Sequence, residues 1–147
     1  MKTFKETKYG DLTGQTYNGD INLNRGGLTS LDGMPLIVNG DVILSNNDIK
    51  SLKGCPITIT GDLSLGDNPN LKSLEYAPKS CRWLYCKDLN IPNIIEQIIQ
   101  FQIKAKRYIT YDGGIPFSDI KERFDDYKKM KDNIKSKGFR TLLGLDK

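Results

Sequence analysis

Gly19-Asp20, Gly40-Asp41 and Gly61-Asp62 recur at intervals of 21 residues, so whatever these carboxylates do is done three times over. If each repeat is one coil of a stack, Asp20, Asp41 and Asp62 stand in a column, with neighbours about 4.8 Å apart, the spacing of adjacent strands. Two unit charges at that distance repel by roughly 0.9 kcal/mol in water and by several-fold more at lower effective dielectric. The column must therefore be hydrated, hydrogen-bonded or neutralised. Three arrangements meet that condition: bonds from backbone N–H groups near the preceding glycine turn, a basic partner that reads the row, or a bound calcium ion. Calcium takes six to eight oxygen ligands from a dense loop, and one carboxylate per coil is thin provision. No metal or cofactor is expected here.

A second constellation lies in "SCRWLYCKD", which holds the only tryptophan of the chain. If Leu84 points into a core, Trp83 and Tyr85 flank it on the outer strand face, beside Arg82 and Lys87. Trp, Tyr and Arg are the residue types that anchor protein interfaces. The candidate partner-binding set is therefore Asp20, Asp41, Ile43, Asp62, Arg82, Trp83, Tyr85 and Lys87. Two arrangements stay open for the rings: exposed anchors, or side chains covered by C-terminal helices that fold back over the last strand.

The chemistry of catalysis is missing. The chain has no histidine, which removes the usual general base and the Ser-His and Cys-His nucleophile pairs. No Walker loop or GxGxxG leads from a strand into a helix, and "YDGGIP" runs into proline without a Lys-Ser/Thr. Cys55, Cys81 and Cys86 are an odd number without a CxxC, so neither a disulfide framework nor a zinc site has its ligands. Cys55 and Cys86 occupy positions that are apolar in the other repeats and read as small core residues. A non-enzymatic protein is expected.

The charge is uneven. Residues Met1 to Phe101 carry ten Lys/Arg against eleven Asp/Glu, and Gln102 to Lys147 carry twelve against seven. Attraction to a polyanion therefore belongs to the tail, where Lys128, Lys129, Lys131 and Lys135 are the candidate nucleic-acid contacts. Glu122, Asp125, Asp126 and Asp132 interleave with these bases, a pattern that also makes an ordinary solvated helix face. No apolar run approaches the roughly 20 residues of a membrane span. The start "MKTFKETKYGD" has no apolar signal core, so a cytoplasmic location is expected.

These residues must be positioned by the repeat itself. Aligned copies place Ile21, Leu23, Leu28 and Leu31 beside Val42, Leu44, Ile49 and Leu52, and beside Leu63, Leu65, Leu71 and Leu74. The pattern L-x-L-x-x-N-x-L is matched by Val42, Leu44, Asn47 and Ile49, and with one inserted residue by Leu63, Leu65, Asn68 and Leu71. Gly26 stands where the first copy would have its asparagine, and a degenerate fourth unit supplies Leu84, Cys86 and Ile91. The period predicts a short parallel strand followed by an inward bend, with the asparagine bonding the backbone groups that the bend exposes. "GMPLIVNG" and "GCPITITG", in which Ile57 and Ile59 alternate with Thr58 and Thr60, predict a second short strand on the return side.

From Asn18 to Pro92 the wording of these repeats resembles the short leucine-rich-repeat proteins found in bacteriophages and bacteria. The resemblance implies a compact α+β solenoid of about three and a half to four coils with a parallel sheet and helical C-terminal capping. It also implies protein binding, of a host or viral target if the chain is phage-encoded and acts in host cytoplasm. One domain is expected, with an N-terminal cap over 1–17, coils over 18–91 and a helical cap over 92–147. Within that cap a helix is read from Pro92 through "NIIEQIIQFQIKAKRY", with Ile94, Ile95, Ile98, Ile99 and Ile103 on its apolar face. A turn at "YDGG" leads to a second helix capped by Ser118 and closed by Gly138, with Ile120, Phe124, Tyr127, Met130 or Lys131, and Ile134 as a packing stripe. Phe139, Leu142, Leu143 and Leu145 either tuck into the domain or meet a partner. The function expected is a protein-protein interaction module that grips, and by occupying a functional surface inhibits, one protein through its strand face. The alternative is a nucleic-acid-associated protein that uses the basic C-terminal helices.

Overall fold

The computed structural model describes residues 2–110 and 113–142, with side chains as far as Lys135. Strands β1 (Lys2–Thr3) and β2 (Thr16–Asn18) precede the first coil, which holds β3 (Ile21–Asn22), β4 (Leu28–Ser30) and β5 (Ile37–Asn39). The second coil holds β6 (Val42–Ile43) and β7 (Thr58–Ile59), the third β8 (Leu63–Ser64), and the fourth β9 (Trp83–Tyr85) and helix α1 (Ile94–Gln100). Then come β10 (Arg107–Thr110), β11 (Gly113–Pro116) and helix α2 (Phe117–Leu142). The result is a β-solenoid of about four turns with parallel sheets and a C-terminal helix, mixed α+β in class.

The front sheet runs β3-β6-β8-β9-β10-β11, parallel up to β10 and closed by antiparallel β11. Its register puts Ile21, Val42, Leu63, Leu84 and Tyr108 side by side, all with no exposed surface. The back sheet joins β2, β5 and β7 and is extended by single bridges from Thr58 to Ser80 and from Ser80 to Lys104. The 21-residue spacing is therefore a translation of one strand width, and the leucines expected to face inward do so.

The abrupt bend after each front strand rests on two features that also repeat. Arg25, Asn46, Asp67 and Asp88 adopt left-handed backbone with φ of 56°, 59°, 57° and 61°, one per coil; asparagine and aspartate tolerate that region better than most side chains. Immediately after it, buried Asn47 accepts the Leu28 N–H at 2.9 Å and donates to the carbonyls of Leu23 and Leu44 at 2.9 Å. One coil on, buried Asn68 accepts the Ile49 N–H at 3.2 Å and donates to Leu44 at 3.0 Å and Leu65 at 2.7 Å. Each asparagine thus closes its own bend and ties it to the previous coil, as the sequence pattern requires. Buried Leu89 occupies the corresponding place in the fourth coil, where the column ends.

At the N-terminus Phe4 is fully buried, stacks on Tyr9 at 5.6 Å between ring centroids, and begins a covering that reaches Tyr17. The Tyr9 hydroxyl accepts the Asn22 N–H at 3.1 Å, so an aromatic side chain satisfies one backbone donor on the outer edge of β3.

The C-terminal part departs from the sequence reading. The helix expected from Pro92 to Tyr108 is confined to Ile94–Gln100, because Gln102 turns left-handed at φ 54° and Arg107–Thr110 leaves as strand β10. An open edge on β9 would present unpaired N–H and C=O groups, and the strand-favouring run "RYIT" supplies their partners. Ile103 is buried as expected, but beyond the helix. The expected turn at "YDGG" includes residues 111–112, outside the described residues, while Gly113 and Gly114 belong to β11. Helix α2 continues through Gly138, which therefore does not close it. Ile120 and Phe124 of its stripe are buried and Tyr127 is half-buried, but Met130 and Ile134 are exposed. The expectations for the side chains of Phe139 and Leu142, and for Leu143 and Leu145, lie outside what the structure describes. On the return side Ile59 is buried, whereas Ile57 stands outside the strand and is half exposed.

Candidate functional site

The aspartate column exists, and its carboxylates are tied to backbone one coil further on rather than to the preceding glycine turn. Asp20 Oδ1 accepts the Asp41 N–H at 2.7 Å, and Asp41 Oδ1 accepts the Asp62 N–H at 2.8 Å. Asp62 Oδ1 accepts the Trp83 N–H at a longer 3.2 Å. The glycines make this possible: a Cβ on Gly61 would lie 2.2 Å from Asp41 Oδ1, and one on Gly40 would lie 2.3 Å from the Gly19 carbonyl oxygen. Glycine is required so that the next coil can approach the carboxylate, which is why Gly and Asp recur as a pair.

The column is neutralised at its C-terminal end. Arg82 takes the place of the glycine in the fourth coil and donates to both oxygens of Asp62, Nε to Oδ1 at 2.9 Å and Nη2 to Oδ2 at 3.1 Å. Its Nη2 also approaches Asp41 Oδ1 at 3.7 Å. The two-pronged geometry fixes the guanidinium against the sheet.

Where the column ends, the aromatic edge begins. Trp83 follows Asp20, Asp41 and Asp62 in the same row, and Tyr85 follows Asn22, Ile43 and Ser64 in the next. Both rings are half-buried, with centroids 6.0 Å apart and planes inclined by 41°. The C-terminal helix packs elsewhere, against α1 and β11. A clasp beside α1 joins Arg123 to Glu96, and Gln102 donates to the Phe124 carbonyl at 3.1 Å. Beside the rings stand Arg107, paired in register with Trp83, and Ile109, paired with Tyr85. Arg107 bends over β11, its Nη2 donating to the Gly114 carbonyl at 3.2 Å.

The site residues read from the sequence are therefore partly gathered. Ile43, Tyr85 and Trp83 share the outer face of one sheet; Arg82 lies at its edge, bonded to Asp62, and Lys87 is exposed just past β9. Arg107 and Ile109 belong to the same face and were missed, because the helix reading ran through Arg107 to Tyr108 and left Ile109 outside any element. Half-buried Arg107 and Ile109 alternate with buried Tyr108 and Thr110, and the strand-favouring run Tyr108-Ile109-Thr110 is the sequence signal that could have found them. The four candidate nucleic-acid lysines are split. Lys128, Lys131 and Lys135 line a hollow with Lys79 and Lys104, while Lys129 opens on the other side of α2 with Lys121 and Asp125.

Cys81 and Cys86 are buried, and desolvation pushes both thiols up to about 12 from the usual 9.0. Cys55 is partly open at the surface, but its surroundings also hold its thiol far above the ordinary range. Such sulfurs stay protonated and are poor nucleophiles. Among the described residues, no group of three or more His, Cys, Asp or Glu side chains is placed to hold a metal ion. No helix among them is long and apolar enough to cross a membrane. Comparison with protein-family models, curated proteins and solved structures returns no match for this chain.

Proposed function

We propose that this chain is a non-enzymatic protein-binding module, a leucine-rich-repeat solenoid of phage or bacterial type that grips one protein through its front sheet. The observation that carries the reading is the outer face of that sheet beyond the aspartate column. Trp83 and Tyr85 lie side by side and half-exposed on a rigid strand face, while α2 packs against α1 and β11. An aromatic pair with a neighbouring arginine already fixed by two carboxylate bonds loses little freedom on binding, which favours a hot spot. The buried asparagines at the bends of the second and third coils support the repeat assignment. Binding here occupies a functional surface of the partner and so inhibits it.

The test is a tagged capture from bacterial lysate, run with and without nuclease and read by mass spectrometry, beside a Trp83→Ala/Tyr85→Ala variant of unchanged circular dichroism. One protein retained after nuclease and lost from the variant supports the reading. Retention of that protein by the variant, or loss of every partner on nuclease treatment, overturns it.

A further inference from the structure

Away from the front sheet, two hollows meet beneath α2. One, of about 390 Å³, is walled by Ile57, Tyr76, Ala77 and Phe101; the other, of about 760 Å³, by Gln102, Phe124 and Ile134. Lys79 and Lys131 line both, so the two form one groove between the return side of the coils and the outer turns of the helix. Among the described residues, Lys104, Lys128 and Lys135 complete a rim of five lysines, against Glu75 and Asp132 as the only carboxylates of the lining. Among the described residues none of these five lysines is in an ion pair with its own fold. The rim is a patch of net positive charge.

The floor is apolar and oddly built. Ile57, Tyr76 and Ile134 are 50%, 53% and 61% exposed, among the most exposed large hydrophobic side chains described. Tyr76 holds a left-handed backbone at φ 69°, at the place where the two preceding coils use Gly33 and Gly54. A tyrosine there is strained where glycine would not be, and because its ring is exposed, core packing does not explain the choice. Strain kept at a groove wall points to use of the side chain there.

We infer that this groove binds an acidic peptide segment carrying an apolar side chain, with its carboxylates on the lysine rim and its anchor among Ile57, Tyr76 and Phe101. Charge complementarity selects an anionic occupant. Exposed Ile57, Tyr76 and Ile134 call for an apolar partner that a phosphate backbone does not carry, so a peptide fits better than a nucleic acid. A second copy of this chain, with net charge +4, would bring like charge to the rim. The inference stands independently of the front-face reading.

The test pans a random dodecapeptide display library against the intact protein, then titrates an enriched peptide by calorimetry at two salt concentrations. Expected are sequences rich in Glu/Asp with a Leu, Phe or Trp, and binding that weakens at higher salt. Affinity should fall at least tenfold in Lys79→Glu/Lys131→Glu and several-fold in Tyr76→Gly, and stay unchanged in Trp83→Ala. Tyr76→Gly suits the local backbone and should not lower the melting temperature, which separates lost binding from lost folding. The inference is overturned if no peptide is enriched, if enriched peptides lack acidic residues, or if they bind the variants equally. Binding of a dT12 oligonucleotide in place of any acidic peptide, or self-association abolished by the same substitutions, overturns it as well.

Discussion

Two polar columns run through the same stack, and they differ in almost everything but period. The asparagine column, Asn47 and Asn68, is buried and supplies donors and an acceptor to backbone groups that water cannot reach. The aspartate column, Asp20, Asp41 and Asp62, lies on the outer face, where each carboxylate takes one backbone N–H from the next coil, and Arg82 or solvent screens the rest. Both are registers of hydrogen bonds between coils. Burial decides that the first specifies the bend and the second only fastens the strands. The columns also end differently: the outer one stops at Arg82, and the surface beyond it carries Trp83 and Tyr85.

The largest expected effect is on the buried column. Asn68→Ala leaves the Ile49 N–H and the Leu44 and Leu65 carbonyls without that partner. A loss of about 4 kcal/mol in urea denaturation is expected, at roughly 1 to 3 kcal/mol for each unsatisfied buried group. A loss no larger than that of an exposed asparagine would erase the distinction drawn here.

Next comes Gly61→Ala, whose new Cβ would fall 2.2 Å from Asp41 Oδ1 and 2.6 Å from the Gly40 carbonyl oxygen. About 2 kcal/mol of destabilisation is expected, in the range for overpacking. Asp41→Ala should recover part of it, since one of the two clashing groups is then gone. A double-mutant cycle measures that coupling, and strict additivity would show that carboxylate and glycine do not depend on each other.

Of comparable size is the response to alkali. Tyr108 is fully buried, its hydroxyl donating to the Ile103 carbonyl at 2.6 Å and accepting the Ala105 N–H at 3.0 Å. Burial raises its pKa from 10.0 to about 12. A raised folded value means that the stabilisation is complete below pH 10 and is lost as pH climbs through 12. Over that window roughly 2 to 3 kcal/mol should disappear, with Cys81 and Cys86 adding to the slope from about pH 9. In Tyr108→Phe the part of the slope above pH 10 should shrink, a difference that urea titrations at stepped pH would reveal.

The smallest change is expected from Asp41→Ala alone. It removes one acceptor from a partly exposed site, and about 1 kcal/mol or less is expected, shrinking further in salt. If this substitution proves as damaging as Asn68→Ala, the outer column is as structural as the inner one.

Much of this was legible in the residues. The inward leucines, the bend asparagines and the Gly-Asp register follow from a period of 21, and each appears where the pattern put it. The partner of each carboxylate was misjudged, because a bond to the next coil is separated by 21 residues and invisible locally. The aromatic face was found without its neighbours Arg107 and Ile109, since five isoleucines from Ile94 to Ile103 suggested a longer helix. Leu36 and Ile57, equivalent positions of successive coils and both exposed, went unnoticed as an apolar row because alternating strands were expected to bury such residues.

The sequence by itself determined the coil: its length, its inward side chains and the polar residues that close its bend. Translation makes every interior coil see the same neighbours, so local spacing carries the information. The ends were decided only by tertiary structure. There the translation stops, and the open edge of β9 draws in Arg107–Thr110 as a strand. The site where α2 packs divides a uniform run of lysines between two surfaces, because pairing and packing at a stack's end involve partners that no repeat specifies.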